Sequence, residues 1–316
     1  MRIGLDVFGG DFAPQATLEG VRLLVPELQE DECIVLFGDE QFMHKSVEQS
    51  WIASGKVELV HAPEIITMED SPMKAYQQKQ NSSIVTGFNY LRAGKIDGFA
   101  SAGNSGAMMV GSVYTINTIS GIIRPASIVL VPKVSGGHSV LLDVGTNPDA
   151  KPDVLCQYGM LGAFYAQNVL GVENPTVGLL SIGEEEKKGN LLVQSTFPLM
   201  KESSDYNFIG NVEGRDLFGN KADVIVTDGF TGNIVLKQIE AMYRLMQKRG
   251  LLDSYFERFS YEVHGGSPLV GINKPVVIGH GISSPLAIKN MMRLLRSYVS
   301  SNLNEKIKFV MNNYDH

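Results

Sequence analysis

Five short stretches of this chain place glycine beside asparagine, serine, threonine or aspartate directly after a β-like run. Phe99-Ala100-Ser101-Ala102-Gly103-Asn104-Ser105-Gly106 leads into an apolar helical run at 107–119. Val224-Ile225-Val226-Thr227-Asp228-Gly229-Phe230-Thr231-Gly232-Asn233 leads into another at 234–248. Leu141-Leu142-Asp143-Val144-Gly145-Thr146-Asn147, Leu179-Leu180-Ser181-Ile182-Gly183 and Ile3-Gly4-Leu5-Asp6-Val7-Phe8-Gly9-Gly10-Asp11 complete the set. Turns without bulky side chains let backbone N–H groups approach a ligand, and a helix start adds donors and partial positive charge. The chemistry that suits them is the holding of a phosphate or carboxylate. One such loop reads equally well as a tight turn packing helix on sheet. Five at strand ends, where open α/β sheets bind ligands, argue for a site.

Charged candidates are few. Glu184-Glu185-Glu186-Lys187-Lys188 would ordinarily be a solvated helix start, but it follows a strand and meets Gly189-Asn190, so one lysine is a functional candidate. His44, His61, His138, His264, His280 and His316 show no metal-ligand spacing and suit surface or structural roles. His280 stands apart because it lies in Gly279-His280-Gly281-Ile282-Ser283-Ser284. That run approaches a dinucleotide fingerprint, yet serine replaces its last glycine and no acidic residue lies ~20 positions on. Gly183 to Gly189 is too long for a Walker loop, and no serine occupies a Gly-x-Ser-x-Gly elbow. Cys33 and Cys156 lie far apart, and Cys156 reads as a core residue of an amphipathic helix. No metal and no cofactor is expected.

Such residues suit anion holding better than hydrolysis. Phosphate attacking a thioester arrives already ionised and needs no general base. A thiol leaving group with a pKa near about 8.5 needs little protonation. What remains is to hold two reactants together and stabilise one developing oxyanion. Backbone N–H groups, an asparagine amide and a lysine suffice.

The loops need elements to position them. Strand-like runs at 3–6, 33–38, 57–60, 95–100, 177–182, 207–211, 224–226 and 276–278 alternate with helical runs. Helices are expected from Pro14 onward, at 42–51, after the Asn81-Ser82-Ser83 cap, and at 152–170 and 285–299. Residues 67–74 read as a polar loop, and 127–131 with 139–142 as a hairpin around Ser135-Gly136-Gly137-His138. The alternation predicts an α/β protein, an α/β/α sandwich on a largely parallel mixed sheet. The continuous apolar run at 33–37 fits a strand covered on both faces.

With 316 residues, 44% of them hydrophobic, the chain can build a large core. A formal charge of −7 argues against bulk nucleic-acid binding. Met1 leads straight into strand residues and no apolar run nears the ~20 residues of a membrane span, so a cytoplasmic location without a signal peptide is expected.

Seven ordered stretches resemble the motifs of the bacterial phosphate acyltransferase family, nearly end to end. They are Asp6-Val7-Phe8-Gly9-Gly10-Asp11-Phe12-Ala13-Pro14, Ser101 to Ala107, Asp143 to Asn147, Ile182 to Asn190, Gly210-Asn211-Val212-Glu213-Gly214-Arg215-Asp216, Asp228 to Asn233, and Gly265-Gly266-Ser267-Pro268-Leu269-Val270-Gly271. The resemblance implies transfer of a fatty acyl group from acyl carrier protein (ACP) to inorganic phosphate, giving acyl phosphate for phospholipid synthesis. It also implies a homodimer and a fold similar to the isocitrate and isopropylmalate dehydrogenases. By the Lys-Gly-Asn match, Lys188 takes the catalytic lysine position and Asn233 the catalytic asparagine position. Candidates to hold phosphate and substrate are Gly10, Asp11, Ser101, Gly103, Asn104, Ser105, Gly106, Asn147, Gly229, Thr231, Gly232 and His280.

A single catalytic unit of two interleaved lobes is expected, roughly 1–110 plus 265–316, and 111–264. Three departures from the family stand out: Val7-Phe8 replaces Ala-Met, Gln77, Gln78 and Gln80 replace basic residues, and the segment after Asn233 is short. A short-chain phosphotransacylase using acetyl-CoA is the runner-up. A metal- and NAD-dependent decarboxylating dehydrogenase and a lipid-binding module are more distant rivals. Residues 243–260 read as a helical hairpin with Leu251-Leu252 at its tip and Arg244, Lys248, Arg249 and Arg258 on its flanks. Such a tip suits peripheral contact with an anionic membrane at the inner face of the cell. Packing of the two leucines on the body or a dimer partner is the alternative.

Overall fold

A computed structural model of the chain describes residues 1–314; Asp315 and His316, the latter among the histidines weighed above, lie outside the described residues. In chain order the strands are β1 Arg2–Asp6, β2 Cys33–Gly38, β3 Val57–His61, β4 Gly98–Ser101, β5 Ala126–Pro132 and β6 His138–Leu142. They continue with β7 Thr176–Leu180, β8 Asn207–Val212, β9 Val224–Val226, β10 Ser267–Val270 and β11 Val276–Ile278. Two compact units form. One comprises Met1–Thr118 and Tyr261–Ser300, the other Ile119–Ser260 and the chain from Ser301 onward.

The first unit orders its strands β3-β2-β1-β4-β11-β10, with only β10 antiparallel to its neighbour. Every position of β2 is buried because helices cover both faces. The alternation of β4 shows how: Gly98 lies under Leu295 of the Pro285–Ser300 helix, while Phe99 meets Phe88 of the Ser83–Arg92 helix at 5.2 Å between ring centroids. Ser82 caps the latter helix through its hydroxyl, 3.3 Å from Val85 N. The second unit orders its strands β5-β6-β9-β7-β8, parallel apart from the β5–β6 hairpin. Val224 and Leu142 face Gly162 of the Pro152–Asn168 helix, and Leu141 and Ile225 pack with Val235, Leu236 and Ile239 of the Gly229–Lys248 helix. Each unit is thus the α/β/α layering on a largely parallel sheet that the alternating runs predict.

Several local expectations are corrected. The single helix at 42–51 is two, Glu40–Ser46 and Gln49–Ala53, because Val47 is extended between them. The loop at 67–74 ends early: Pro72 takes the first position of a Pro72–Gln78 helix, where a missing N–H costs nothing. The run at 107–119 starts as an α-helix at Ser105–Val110 and widens into π-type turns over Gly111–Ile116. Only the first arm of the hairpin at 243–260 is a long helix, continuous from Gly229 to Lys248. The return arm holds one 3₁₀ turn, Phe256–Phe259, after Gly250 takes a φ of +66° and Asp253 accepts from Tyr255 N and Phe256 N. Residues from 301 group with the second unit, where Lys306 Nζ donates to Asn168 Oδ1 at 2.7 Å. β10 and the helices Leu191–Glu202 and Leu303–Tyr314 were not foreseen.

Candidate functional site

In each unit the parallel strands end on one edge, and the glycine-rich loops follow those ends. In the first unit the organising group is Asp6 at the end of β1, a carboxyl only 2% exposed. Its Oδ2 accepts from Ser101 Oγ at 2.7 Å and its Oδ1 from Phe8 N at 3.1 Å. Burial pushes the Asp6 pKa up, against the opposing pull of hydrogen bonds from Ser83, Ser101 and Phe8. Ser101 Oγ in turn accepts from Gly103 N at 2.9 Å, so aspartate, serine and turn form one relay. Gly9 seals it, since a Cβ there would stand 2.5 Å from Asp6 Oδ2.

Both ends of the Asn104 amide are engaged in this loop. Its Oδ1 caps the following helix by accepting from Ala107 N at 2.9 Å, and its Nδ2 donates to Thr67 O and Asp70 O. Asp11 N donates to Gly281 O at 2.7 Å and Gly279 N to Ser101 O at 2.8 Å, drawing the loops after β1, β4 and β11 together. His280 stacks edge-on against Tyr261 at 5.9 Å. The first unit therefore gathers Gly10, Asp11, Ser101, Gly103, Asn104, Ser105, Gly106 and His280, with the Ser101 and Asn104 side chains holding the loops. Asp11 and Ser105 are exposed.

In the second unit Asp143, fully buried after β6, has the same office. It accepts from Ser127 N and Oγ, Thr146 N, Asn147 N and Asn147 Nδ2, between 2.6 and 3.2 Å. Asp228 caps the Gly229–Lys248 helix, accepting from Thr231 N and from Thr231 Oγ1, each at 2.8 Å. Gly229 N donates to Asn147 O at 2.9 Å, which ties the loops after β6 and β9. A Cβ on Gly232 would collide with the Asp143 carbonyl oxygen. These contacts set Asn233 on the first turn of the helix, where its Nδ2 donates to Val144 O at 3.1 Å. An amide has a second N–H and a carbonyl oxygen besides.

Lys188 follows β7, the strand beside β9. The three glutamates before it would be expected to neutralise it. Instead Glu184 pairs with Lys221 at 2.7 Å, raising the Lys221 pKa, and also with Arg215 at 3.8 Å. Glu186 pairs with Lys201 at 3.1 Å. Lys187, Lys188 and Glu185 are exposed and make no ion pair among the described residues, so the loop keeps two uncommitted ammonium groups beside one uncommitted carboxylate. The loop is anchored beneath by Asn211 Nδ2, which donates to Glu185 O at 2.9 Å, and ends where Asn190 caps the Leu191–Glu202 helix. Asn147, Lys188, Gly229, Thr231, Gly232 and Asn233 thus share one strand-end edge of the second unit. Asp6, Asp143 and Asp228 carry the loops yet were not singled out; the signal available was an aspartate at or just past a strand end with glycine one to three residues on.

A family model described as "Fatty acid synthesis protein" matches residues 1–306. The phosphate acyltransferase of Caldicellulosiruptor bescii is 41% identical over 322 residues, covering 96% of this chain and 96% of that one. The Bacillus subtilis (strain 168) phosphate acyltransferase is 39% identical with the same coverage of both. The chain belongs to the phosphate acyltransferase family. The fold reaches further: a Streptococcus pyogenes phosphotransacetylase superposes with a TM-score of 0.68 at 15% identity, covering 95% of this chain and 94% of that one. A branched-chain phosphotransacylase from Enterococcus faecalis gives 0.64 at 13%, covering 95% and 99%. The Pro72–Gln78 helix carries Gln77 and Gln78, and Gln80 follows it. Gln80 donates back to Tyr76 O and Gln77 O, and Lys79 is held by Asp70 Oδ2 at 2.6 Å and Ile65 O. Lys79 is thereby committed within its own unit, while Lys74, the other basic residue after Pro72, is exposed.

Proposed function

We propose that the chain transfers a fatty acyl group from acyl-ACP to inorganic phosphate, releasing acyl phosphate and ACP. The observation that carries this is the edge of the second unit, where an unpaired ammonium and an asparagine amide follow neighbouring strands. Lys188 attracts the phosphate dianion, and one phosphate oxygen attacks the thioester carbonyl carbon. As that C–O bond forms, the carbonyl becomes an oxyanion, to which the Asn233 amide donates. The oxyanion collapses, the C–S bond breaks, and the sulfur leaves as thiolate to take a proton from solvent. Loss of one preorganised donor of this kind typically costs about 2.7–4 kcal/mol. In the first unit the N–H groups of Asp11 and Gly103 are taken by Gly281 O and Ser101 Oγ, so the turns offer anions those of Gly10, Ser105 and Gly106 instead.

The test is incubation with palmitoyl-ACP or palmitoyl-CoA, with and without phosphate, detecting acyl phosphate directly. Phosphate-dependent release of ACP is expected. Turnover that ignores phosphate, or that needs NAD and a metal, sinks the reading, and a preference for CoA reassigns the donor.

The same reading includes a homodimer and a cytoplasmic enzyme that touches the inner face of the membrane. No helix among the described residues is long and apolar enough to cross a bilayer. Leu251 is 56% exposed beyond the end of the long helix, and Arg244, Lys248 and Arg249 make no ion pair among the described residues. Each basic residue near an anionic surface contributes about 1 kcal/mol. Sedimentation with anionic vesicles should pellet the wild type and leave Leu251→Glu/Leu252→Glu in solution; equal behaviour of both removes the membrane contact.

A further inference from the structure

Lys188 is not the only uncommitted cation at the strand-end edge of the second unit. Arg124 is exposed, and its guanidinium makes neither an ion pair nor a hydrogen bond among the described residues. Lys133, Lys201 and Lys221 of the same unit are each paired to a carboxylate. The place of Arg124 is set by register. β5 and β6 pair antiparallel with Ile128 opposite Leu142, and one step on Ser127 N donates to Asp143 Oδ1 at 3.0 Å. The two segments stay side by side beyond the strands, since Asn147 Nδ2 donates to Pro125 O at 2.6 Å. Arg124 therefore stands beside the turn at 144–147, whose Val144 carbonyl accepts from the Asn233 amide. Its backbone is fixed on both sides. Gln157 accepts from Ile123 N at 2.9 Å and donates to Gly121 O at 2.7 Å, while Pro125 O also accepts from Tyr158 OH at 3.4 Å. Burial and the Asp143 carboxylate raise the Tyr158 pKa, and the Arg124 charge opposes them, so the field of the guanidinium reaches the strand end.

Stability explains such an arginine poorly, because an exposed charge without a partner contributes little to the fold. It suits an anion. Guanidinium presents a planar fork of donors to phosphate oxygens and stays charged at any working pH. The strand order β5-β6-β9-β7 puts Arg124 and Lys188 on opposite sides of the end of β9, after which Asn233 sits. Three strand spacings separate β5 from β7, roughly 14 Å, a gap that two long side chains narrow around one anion. We propose that Arg124 is a phosphate-binding residue of this site, holding inorganic phosphate from the β6 side while Lys188 holds it from the β7 side. The assignment rests on the phosphate acyltransferase reading and adds to it a second cation. A dianion that one lysine leaves half compensated is then neutralised, and its oxygens are oriented by a fork rather than by a point charge.

Steady-state kinetics in phosphate and in palmitoyl-ACP test the assignment, with line broadening of inorganic phosphate in phosphorus NMR as a readout independent of turnover. Arg124→Ala should raise KM for phosphate about tenfold or more, as loss of a hydrogen bond between charged groups does, and weaken phosphate binding in the same proportion. KM for palmitoyl-ACP should stay at the wild-type value, and so should the unfolding midpoint, since the side chain is exposed. Arg124→Lys, which keeps the charge and loses the fork, should fall between the two. Lys151→Ala removes another exposed charge, just before the Pro152–Asn168 helix, and should leave both KM values unchanged. If no thioester turns over but phosphate binds and Arg124→Ala weakens that binding, the assignment stands and the transfer reading falls. If turnover needs phosphate and KM for phosphate is unmoved in Arg124→Ala, the assignment is overturned and the transfer reading stands. A rise in KM for palmitoyl-ACP alone places Arg124 on an anionic group of the donor, and also overturns it. An equal rise in KM for phosphate in Lys151→Ala shows a general field at this edge rather than a binding residue, and overturns it as well.

Discussion

The two units use one grammar, a buried aspartate at or just past a strand end with a glycine-rich turn folded over it, and they use it to different ends. In the first unit the polar side chains of the turn are turned inward: Ser101 bridges Asp6 and Gly103 N, and Asn104 caps a helix while holding two carbonyls. In the second unit Asp143 and Asp228 take on that structural work. Lys188 remains without an ion pair, and the Asn233 amide makes one hydrogen bond. The contrast teaches that an asparagine in a strand-end loop is not by itself a chemical group. What separates Asn104 from Asn233 is how many of its hydrogen-bonding positions the fold already occupies.

Substitutions can break this contrast. Lys188→Ala and Asn233→Ala should each lower kcat by roughly 10²–10³. The exposed Lys188 change should move stability within about ±0.5 kcal/mol. Wild-type rates in either variant would remove that residue from the chemistry. Asp143→Ala orphans several buried donors at once and should destabilise the protein by about 3 kcal/mol or more, seen in chemical unfolding. A loss under 1 kcal/mol would show that the loop keeps its shape without the carboxylate.

Asn104→Ala sharpens the comparison from the other side. It should cost about 1–2 kcal/mol of stability through the lost cap, with kcat per folded molecule close to wild type. A hundredfold rate loss there would give the first unit a chemical side chain after all. The smallest effect is acid sensitivity. Hydrogen bonds from Arg293 and Lys289 lower the Glu27 pKa from 4.5 to about 2. Ionised Glu27 therefore stabilises the fold above about pH 4.5, and that contribution is lost as pH falls toward 2. Glu27→Gln should flatten the stability profile over that window and leave neutral-pH activity alone.

How much of this was legible in the sequence follows from the range of the forces involved. The strand-end loops were readable because a β-run followed by glycine and a capping side chain is a local pattern; Ser82, Asn104, Asn190 and Asp228 all cap as such residues do. The layering was readable from the fully apolar β2. The break at Val47 was not, since it interrupts a run with helical spacing. The return arm was misread as helix because its residues settle by contacts far along the chain, with Pro132, Lys133 and Phe218. The ion pairs that draw Glu184 and Glu186 away from Lys188 were equally hidden, because Lys221, Lys201 and Arg215 arrive from other elements.

The discontinuity of the first unit bears on how the chain is born. β4 lies between β1 and β11, and all four of its residues are buried. When Ser101 leaves the ribosome, its β11 partner has not been made, and the whole continuous stretch of the second unit must be synthesised first. At about 5–20 residues per second that interval is on the order of ten seconds or longer. Through it the nascent chain carries an apolar strand with an unpaired edge, the feature that invites pairing with another chain. The second unit faces a shorter wait, lacking only its C-terminal helix until the end. Chaperone dependence and co-translational aggregation should therefore track the first unit, and slowing translation before Val276 should aggravate both.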